Sequence, residues 1–232
     1  MKIKAAVVEK KGDPFVIKDD IELHDIGPTD VQVHMVASGI CHSDEAIRKG
    51  DAYHQILKDE KKKKQIDWDL LDQAWNDKHR EMQYFVCDYL LAMEKYVSYD
   101  DLFKIEHYVR TKQWWDTIDS LMKLYGYVGL KDQRVDQLML DWSKDPDKWV
   151  RRVAIEHQLL RKDKMNTALL SQILENNLES DEFFINKAIG WALRDYSKTN
   201  PEWVSDFIDG NYNHLAKLSI TEGSKYLKTN DL

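Results

Sequence analysis

From Tyr53 onward, apolar residues recur three and four positions apart. Leu70, Leu71, Ala74 and Trp75 form one stripe, and Met82, Phe85, Val86, Tyr89, Leu90 and Met93 form a longer one. This is the spacing of helices that bury one face. Further helices are predicted over 100–111, 114–127, 131–143, 147–162, 165–177, 181–198, 201–209 and 212–227. The short polar turns between them, such as Ser98-Tyr99-Asp100, Lys144-Asp145-Pro146-Asp147 and Ser180-Asp181, carry capping residues, and Pro201 suits a first helical turn. Antiparallel helix pairs of this length, stacked in series, give a mainly α fold, a HEAT-like solenoid. Self-similarity between the pairs is weak, so periodicity alone implies only a repeat-like helical protein.

The first 52 residues follow a different pattern. Ile3 to Val8 is apolar and β-rich, Phe15 to Ile17 follows a Gly-Asp-Pro turn, and Val31 to Val36 begins with alternation, which predicts a short strand-rich N-terminal segment. Four of the nine glycines and none of the eight tryptophans fall there. The change of composition marks a boundary between unlike pieces near residue 52. Lys61 to Lys64 next to it reads as a solvated turn.

Composition narrows the class. At 232 residues with 43% hydrophobic content, the chain is long enough for a substantial core. No run approaches the ~18 apolar residues of a membrane span, and lysines interrupt the N-terminus, so no membrane association and a cytoplasmic, monomeric protein are expected. Cys41 and Cys87 are too few for a disulfide framework and lack the neighbours of a zinc cluster. A net charge of -7 argues weakly against non-specific nucleic-acid binding, although a solenoid can carry a basic groove and an acidic outer face.

The chemistry-bearing stretch is Trp114-Trp115-Asp116-Thr117-Ile118-Asp119. On a helix, Trp115 and Asp119 share a face and Trp114 points elsewhere. A core tryptophan beside a surface aspartate is the ordinary reading of such a pair. Two later stretches carry related residues: Asp147-Lys148-Trp149-Val150-Arg151-Arg152-Val153-Ala154-Ile155, and Phe183 to Arg194, which contains Lys187 and Trp191.

In this order and spacing, the three stretches resemble the AlkD family of alkylpurine DNA glycosylases, from about Tyr53 to about Leu227. The resemblance implies a DNA repair hydrolase that excises cationic N3- or N7-alkylated purines from duplex DNA without deep base flipping. It needs no metal or organic cofactor. Asp119 would stabilise positive charge on the deoxyribose and orient water, and Trp115 and Trp191 would line the cleft, since tryptophan faces attract cations by ~0.5–2 kcal/mol. Arg152 matches the family's DNA-gripping arginine, with Arg151, Lys187 and Arg194 adding to a basic face. Taken singly, each cation reads first as a surface ion pair, for example Arg152 with Glu156 at i,i+4. Family members also begin with capping helices that supply a cleft tyrosine. Residues 53–232 would be such a domain without its cap, leaving apolar surface such as Leu70 or Trp75 exposed and lowering stability.

Residues 1–52 instead resemble the opening of zinc-dependent medium-chain alcohol dehydrogenases, through Gly39-Ile40-Cys41-His42-Ser43-Asp44 and the strand before it. In that family the residue matching Cys41 binds zinc, and those matching His42 and Ser43 assist proton transfer. No second-ligand Gly-His-Glu motif and no Gly-x-Gly-x-x-Gly turn follow, so this segment reads as a non-functional fragment, a chimeric N-terminus. The alternative to an enzyme is a non-catalytic HEAT-like scaffold binding DNA or protein. Asp119 discriminates the two, because a scaffold gains nothing from a carboxylate facing phosphates.

Overall fold

The structure, a computed structural model, describes residues 2–10, 13–22 and 52–227, and divides into two units, residues 1–62 and 63–232. In the first, β1 (Lys2–Val7) and β2 (Val16–Glu22) pair antiparallel, Lys2 opposite Glu22 and Val7 opposite Val16, with an irregularity between Ile3 and Ala5. The predicted strand at Val31–Val36 and the Cys41-His42-Ser43 motif lie outside the described residues. Helix α1 (Ala52–Lys63) ends in the lysine run, whose side chains are exposed, and Lys64 turns the chain at φ 56°.

The second unit is helical: α2 (Trp68–Asn76), α3 (Arg80–Ala92), α4 (Leu102–Arg110), α5 (Trp115–Gly129), α6 (Arg134–Trp142), α7 (Lys148–Glu156), α8 (Thr167–Glu175), α9 (Phe183–Tyr196), α10 (Pro201–Gly210) and α11 (Lys217–Gly223). Helices α3, α5, α7, α9 and α11 pack side by side in series. The others form a second layer, α2 against α3, α4 against α5, α6 against α7, α8 against α6 and α7, and α10 against α9. The expected stack of helix pairs is therefore present. Both predicted stripes are its core, since Leu71, Ala74 and Trp75 from α2 and Phe85, Val86, Tyr89 and Leu90 from α3 are all buried.

Several helices start where the sequence supplies a cap. The side chains of Asp67, Asp147, Asn166 and Asn200 accept the amides of Leu70, Trp149, Leu169 and Trp203, each satisfying a donor that the first turn leaves free. Two boundaries depart furthest from the periodicity. The helix predicted over 147–162 stops at Glu156, because Leu160 and Lys162 take left-handed conformations (φ 67° and 51°) and Gln158 ties the turn to Asn166 through both side-chain atoms. The last helix starts at Lys217 rather than 212, since the preceding segment is held elsewhere, the His214 carbonyl accepting the Glu179 amide at 2.9 Å.

The expected exposure of Trp75 is not observed. Its side chain is 1% exposed, its ring lies 4.9 Å from that of Tyr108, and its indole N–H donates to Thr111 Oγ1 at 2.8 Å; Leu70 is half-buried.

Polar contacts between successive helices recur at a nearly constant offset. Arg80 meets Asp116 36 residues on, Asp119 meets Arg152 after 33, Lys148 meets Glu182 after 34, and Lys187 meets Glu222 after 35. The repeat hidden in the sequence is thus one helix pair long.

Candidate functional site

The site lies across α5, α7 and α9. Trp114 is the extended residue before α5 and Trp115 its first helical residue, with 48% and 46% of their surfaces exposed, so neither is the core tryptophan of the ordinary reading. Trp114 rests edge-on against Phe184 at 5.4 Å and beside Trp149 at 5.8 Å. The two aspartates of this stretch face opposite neighbours. Asp116 turns to α3, where it pairs with Arg80 and accepts from the Tyr84 hydroxyl at 2.6 Å. Asp119 turns to α7.

There it meets Arg152 in a bidentate pair, Nε to Oδ1 at 2.7 Å and Nη2 to Oδ2 at 2.8 Å. Arg152 is 1% exposed; its Nη1 donates to the Phe184 carbonyl at 2.7 Å, and its guanidinium lies 5.2 Å from the Trp191 ring centre. The anticipated i,i+4 partner is also present, with Glu156 Oε1 2.9 Å from Nη2, yet neither residue is on the surface, Glu156 being 0% exposed. Arg152 is therefore an internal cation whose three donor groups point at protein. Two carboxylates and one guanidinium form a compact triad, of which Asp119, its side chain 20% exposed, is the part open to solvent.

The remaining predicted cations are also engaged. Arg151 donates to the carbonyls of Asp145 and Pro146 at the start of α7. Lys187 and Arg194 both reach Glu222 of α11, at 2.9 and 2.8 Å, and each stands 5.9 Å from the Trp191 ring centre. Glu222 also accepts from Lys225, and Lys225 and Lys187 hold its pKa down at about 2. Trp191 is thus already ringed by the protein's own cations, Arg152 nearest.

Beside Asp119 and Trp191 opens a cleft of about 550 Å³, lined among others by Lys123, Tyr127, Leu160, Arg161, Arg194 and Lys198. Lys123, Arg161 and Lys198 are cations that sequence reasoning missed. Lys123 stands one turn beyond Asp119 on α5, so the i,i+4 rule that joined Trp115 to Asp119 extends to it. His157, at the end of α7, borders the same cleft. Its Nδ1 faces the Ala154 carbonyl at 2.7 Å, and burial, reinforced by Arg161, lowers its pKa to about 3, so it is neutral. The close approach of α5 to this turn depends on Gly126, where a Cβ would stand 2.3 Å from the His157 carbonyl oxygen.

Comparison with known proteins bears on what such a site is for. The family model described as DNA alkylation repair enzyme matches residues 48–227. A solved structure described as a predicted DNA alkylation repair enzyme from Enterococcus faecalis is 33% identical, with a TM-score of 0.69, over 76% of this chain and 83% of that one. The crystal structure of AlkD2 from Streptococcus mutans matches the fold at 18% identity, with a TM-score of 0.59, over 76% of this chain and 89% of that one. No curated protein matches the chain.

Proposed function

Because the chain belongs to the DNA alkylation repair enzyme family, we propose that it is a DNA glycosylase that releases cationic N3- or N7-alkylated purines from duplex DNA. The observation that carries this reading is the Asp119 carboxylate, anchored from behind by Arg152 and open in front to the cleft that Trp191 lines. A carboxylate has about four lone-pair sites, and the bidentate guanidinium occupies one on each oxygen. That leaves acceptor capacity for a water molecule or for charge on the sugar.

Alkylation at N3 or N7 makes the purine a cation, which weakens its bond to C1′. As that bond breaks, the electron pair leaves with the base, neutralising it, and positive charge appears on the deoxyribose. Asp119 stabilises this charge and accepts a hydrogen bond from the incoming water, whose oxygen bonds to C1′ while its proton passes to the carboxylate or solvent. Arg152 fixes the carboxylate in place, so little reorganisation is needed at the moment of reaction. Since Arg152 points inward, and Arg161 likewise donates to Gln158 and the Gly126 carbonyl, the phosphates are assigned to the cleft cations Lys123 and Lys198, with Arg194 alongside. Trp115, half exposed on the same helical face as Asp119, offers an apolar wall to the lesion nucleotide.

The test is release of free 7-methylguanine and 3-methyladenine from methylated duplex DNA by the whole chain and by Asp119→Asn. Loss of a preorganised electrostatic group costs on the order of 10²–10³ in rate. Equal release by both proteins would remove Asp119 from the mechanism, and no release by a folded wild-type chain would leave the scaffold reading.

A further inference from the structure

Glu156 is a buried acid that the mechanism above does not use. It follows Arg152 by one helical turn, has no exposed side-chain surface, and stands 2.9 Å from Arg152 Nη2. That contact lies off the N–H direction, and among the described residues no donor reaches either carboxylate oxygen. Asp119, by contrast, takes both guanidinium hydrogen bonds and reaches solvent. Two carboxylates thus share one cation, and only one of them is solvated and hydrogen-bonded.

Buried like charges on one counter-ion are not both sustained, and the less solvated member takes the proton. From this geometry we infer that Glu156 is a protonated carboxylic acid in the resting protein, and that its O–H donates a hydrogen bond to Asp119 as a positioning residue. An ionised Glu156 could only accept hydrogen bonds and would compete with Asp119 for Arg152. A protonated one adds a donor and leaves the single negative charge of the triad on Asp119. Burial drives the Glu156 pKa well above the carboxylate range, Arg152 opposes this, and Asp119, within hydrogen-bond reach, adds to the rise. The groups acting on it are Arg152 on its own helix and Asp119 from α5. From α9, the Trp191 ring and the Phe184 carbonyl act through Arg152. Among the described residues, no charged group of α4, α6 or α8 contributes.

The functional half of this inference rests on the glycosylase reading; the protonation itself does not. Infrared difference spectra of the DNA-free protein are expected to show the carbonyl stretch of a protonated carboxyl at neutral pH, missing from Glu156→Gln. The absence of a difference band would overturn the assignment whether or not the chain excises bases. For the positioning role, 7-methylguanine release is followed against pH for wild type, Glu156→Gln and the apolar Glu156→Leu. Glutamine, which keeps a donor, should retain most of the neutral-pH rate, whereas leucine should lower kcat at least tenfold without lowering the melting midpoint. Wild type should lose activity on the alkaline side relative to Glu156→Gln, by up to tenfold per pH unit. Parallel profiles, or a fully active leucine variant, would show that the proton has no part in positioning Asp119.

Discussion

Replacing Arg152 by methionine, which nearly preserves its length, tests the claim that this arginine is an internal structural cation. The substitution removes two bonds to Asp119, the bond to the Phe184 carbonyl and the charge beneath Trp191. Breaking a buried pair by deleting one partner costs about 3–5 kcal/mol, including the 1–3 kcal/mol of a carbonyl left without a donor. Because Asp119 is 20% exposed and can take water in exchange, the lower half of that range is expected. For a domain of this size, 1 kcal/mol moves the melting midpoint by about 2–4 °C, so Arg152→Met should melt roughly 6–16 °C below wild type. Asp119→Asn should cost less, about 1–2 kcal/mol, because Glu156 can then ionise and keep Arg152 neutralised. The double variant should lose at least about 1 kcal/mol less than the sum of the singles. Thermal melts followed by far-UV circular dichroism measure all three. An Arg152→Met midpoint within about 2 °C of wild type would refute the buried pair and return Arg152 to the surface.

Two other predictions concern packing and pH. Gly126→Ala should lower the denaturant midpoint by the equivalent of about 1–3 kcal/mol, since its new methyl group meets the His157 carbonyl at 2.3 Å, whereas Gly210→Ala, with nothing within 4 Å, should gain roughly 0.5 kcal/mol from reduced chain entropy. His157 is held neutral with a pKa of about 3, below the ~6.5 of the unfolded chain. Its contribution to stability is present above pH ~6.5 and lost as pH falls toward 3, at up to ~1.4 kcal/mol per unit, and His157→Gln should flatten the acid limb of a midpoint-against-pH plot. Glu156 acts with the opposite sign: its raised pKa gives stability that is complete below its unfolded value of ~4.3 and lost as pH rises through the folded value.

The helical stack was readable because the stripes at Leu71–Trp75 and Phe85–Leu90 need only local spacing. The helix ends after Glu156 and before Lys217 were not, since side-chain and carbonyl contacts from distant residues set them. The recurring offset of 33 to 36 residues is carried by single polar contacts rather than by similar residues, which is why the sequence does not look repetitive. At the site, the placement of Trp115 and Asp119 four residues apart on α5 followed from helical periodicity. The orientation of Arg152 did not, because an arginine that reaches outward to phosphate and one that reaches inward to an aspartate 33 residues away have the same local sequence. Glu156 looked like its surface partner for the same reason, and only burial on both sides separates a surface pair from an internal triad.

The carboxylate of Glu222 collects Lys187, Arg194 and Lys225, fastening the short helix α11 to α9, and Gly190 lets the two backbones close, since a Cβ there would stand 2.6 Å from that of Glu222. Among the described residues α11 is the last helix of the stack, and an element packed on one side only ordinarily opens first. A clamp whose anion stays ionised down to about pH 2 changes that order. The amides of α11 should exchange with solvent hydrogen about as slowly as those of α9, so fraying at this end is suppressed and the wall of the cleft formed by Trp191 and Arg194 stays shaped between encounters with DNA.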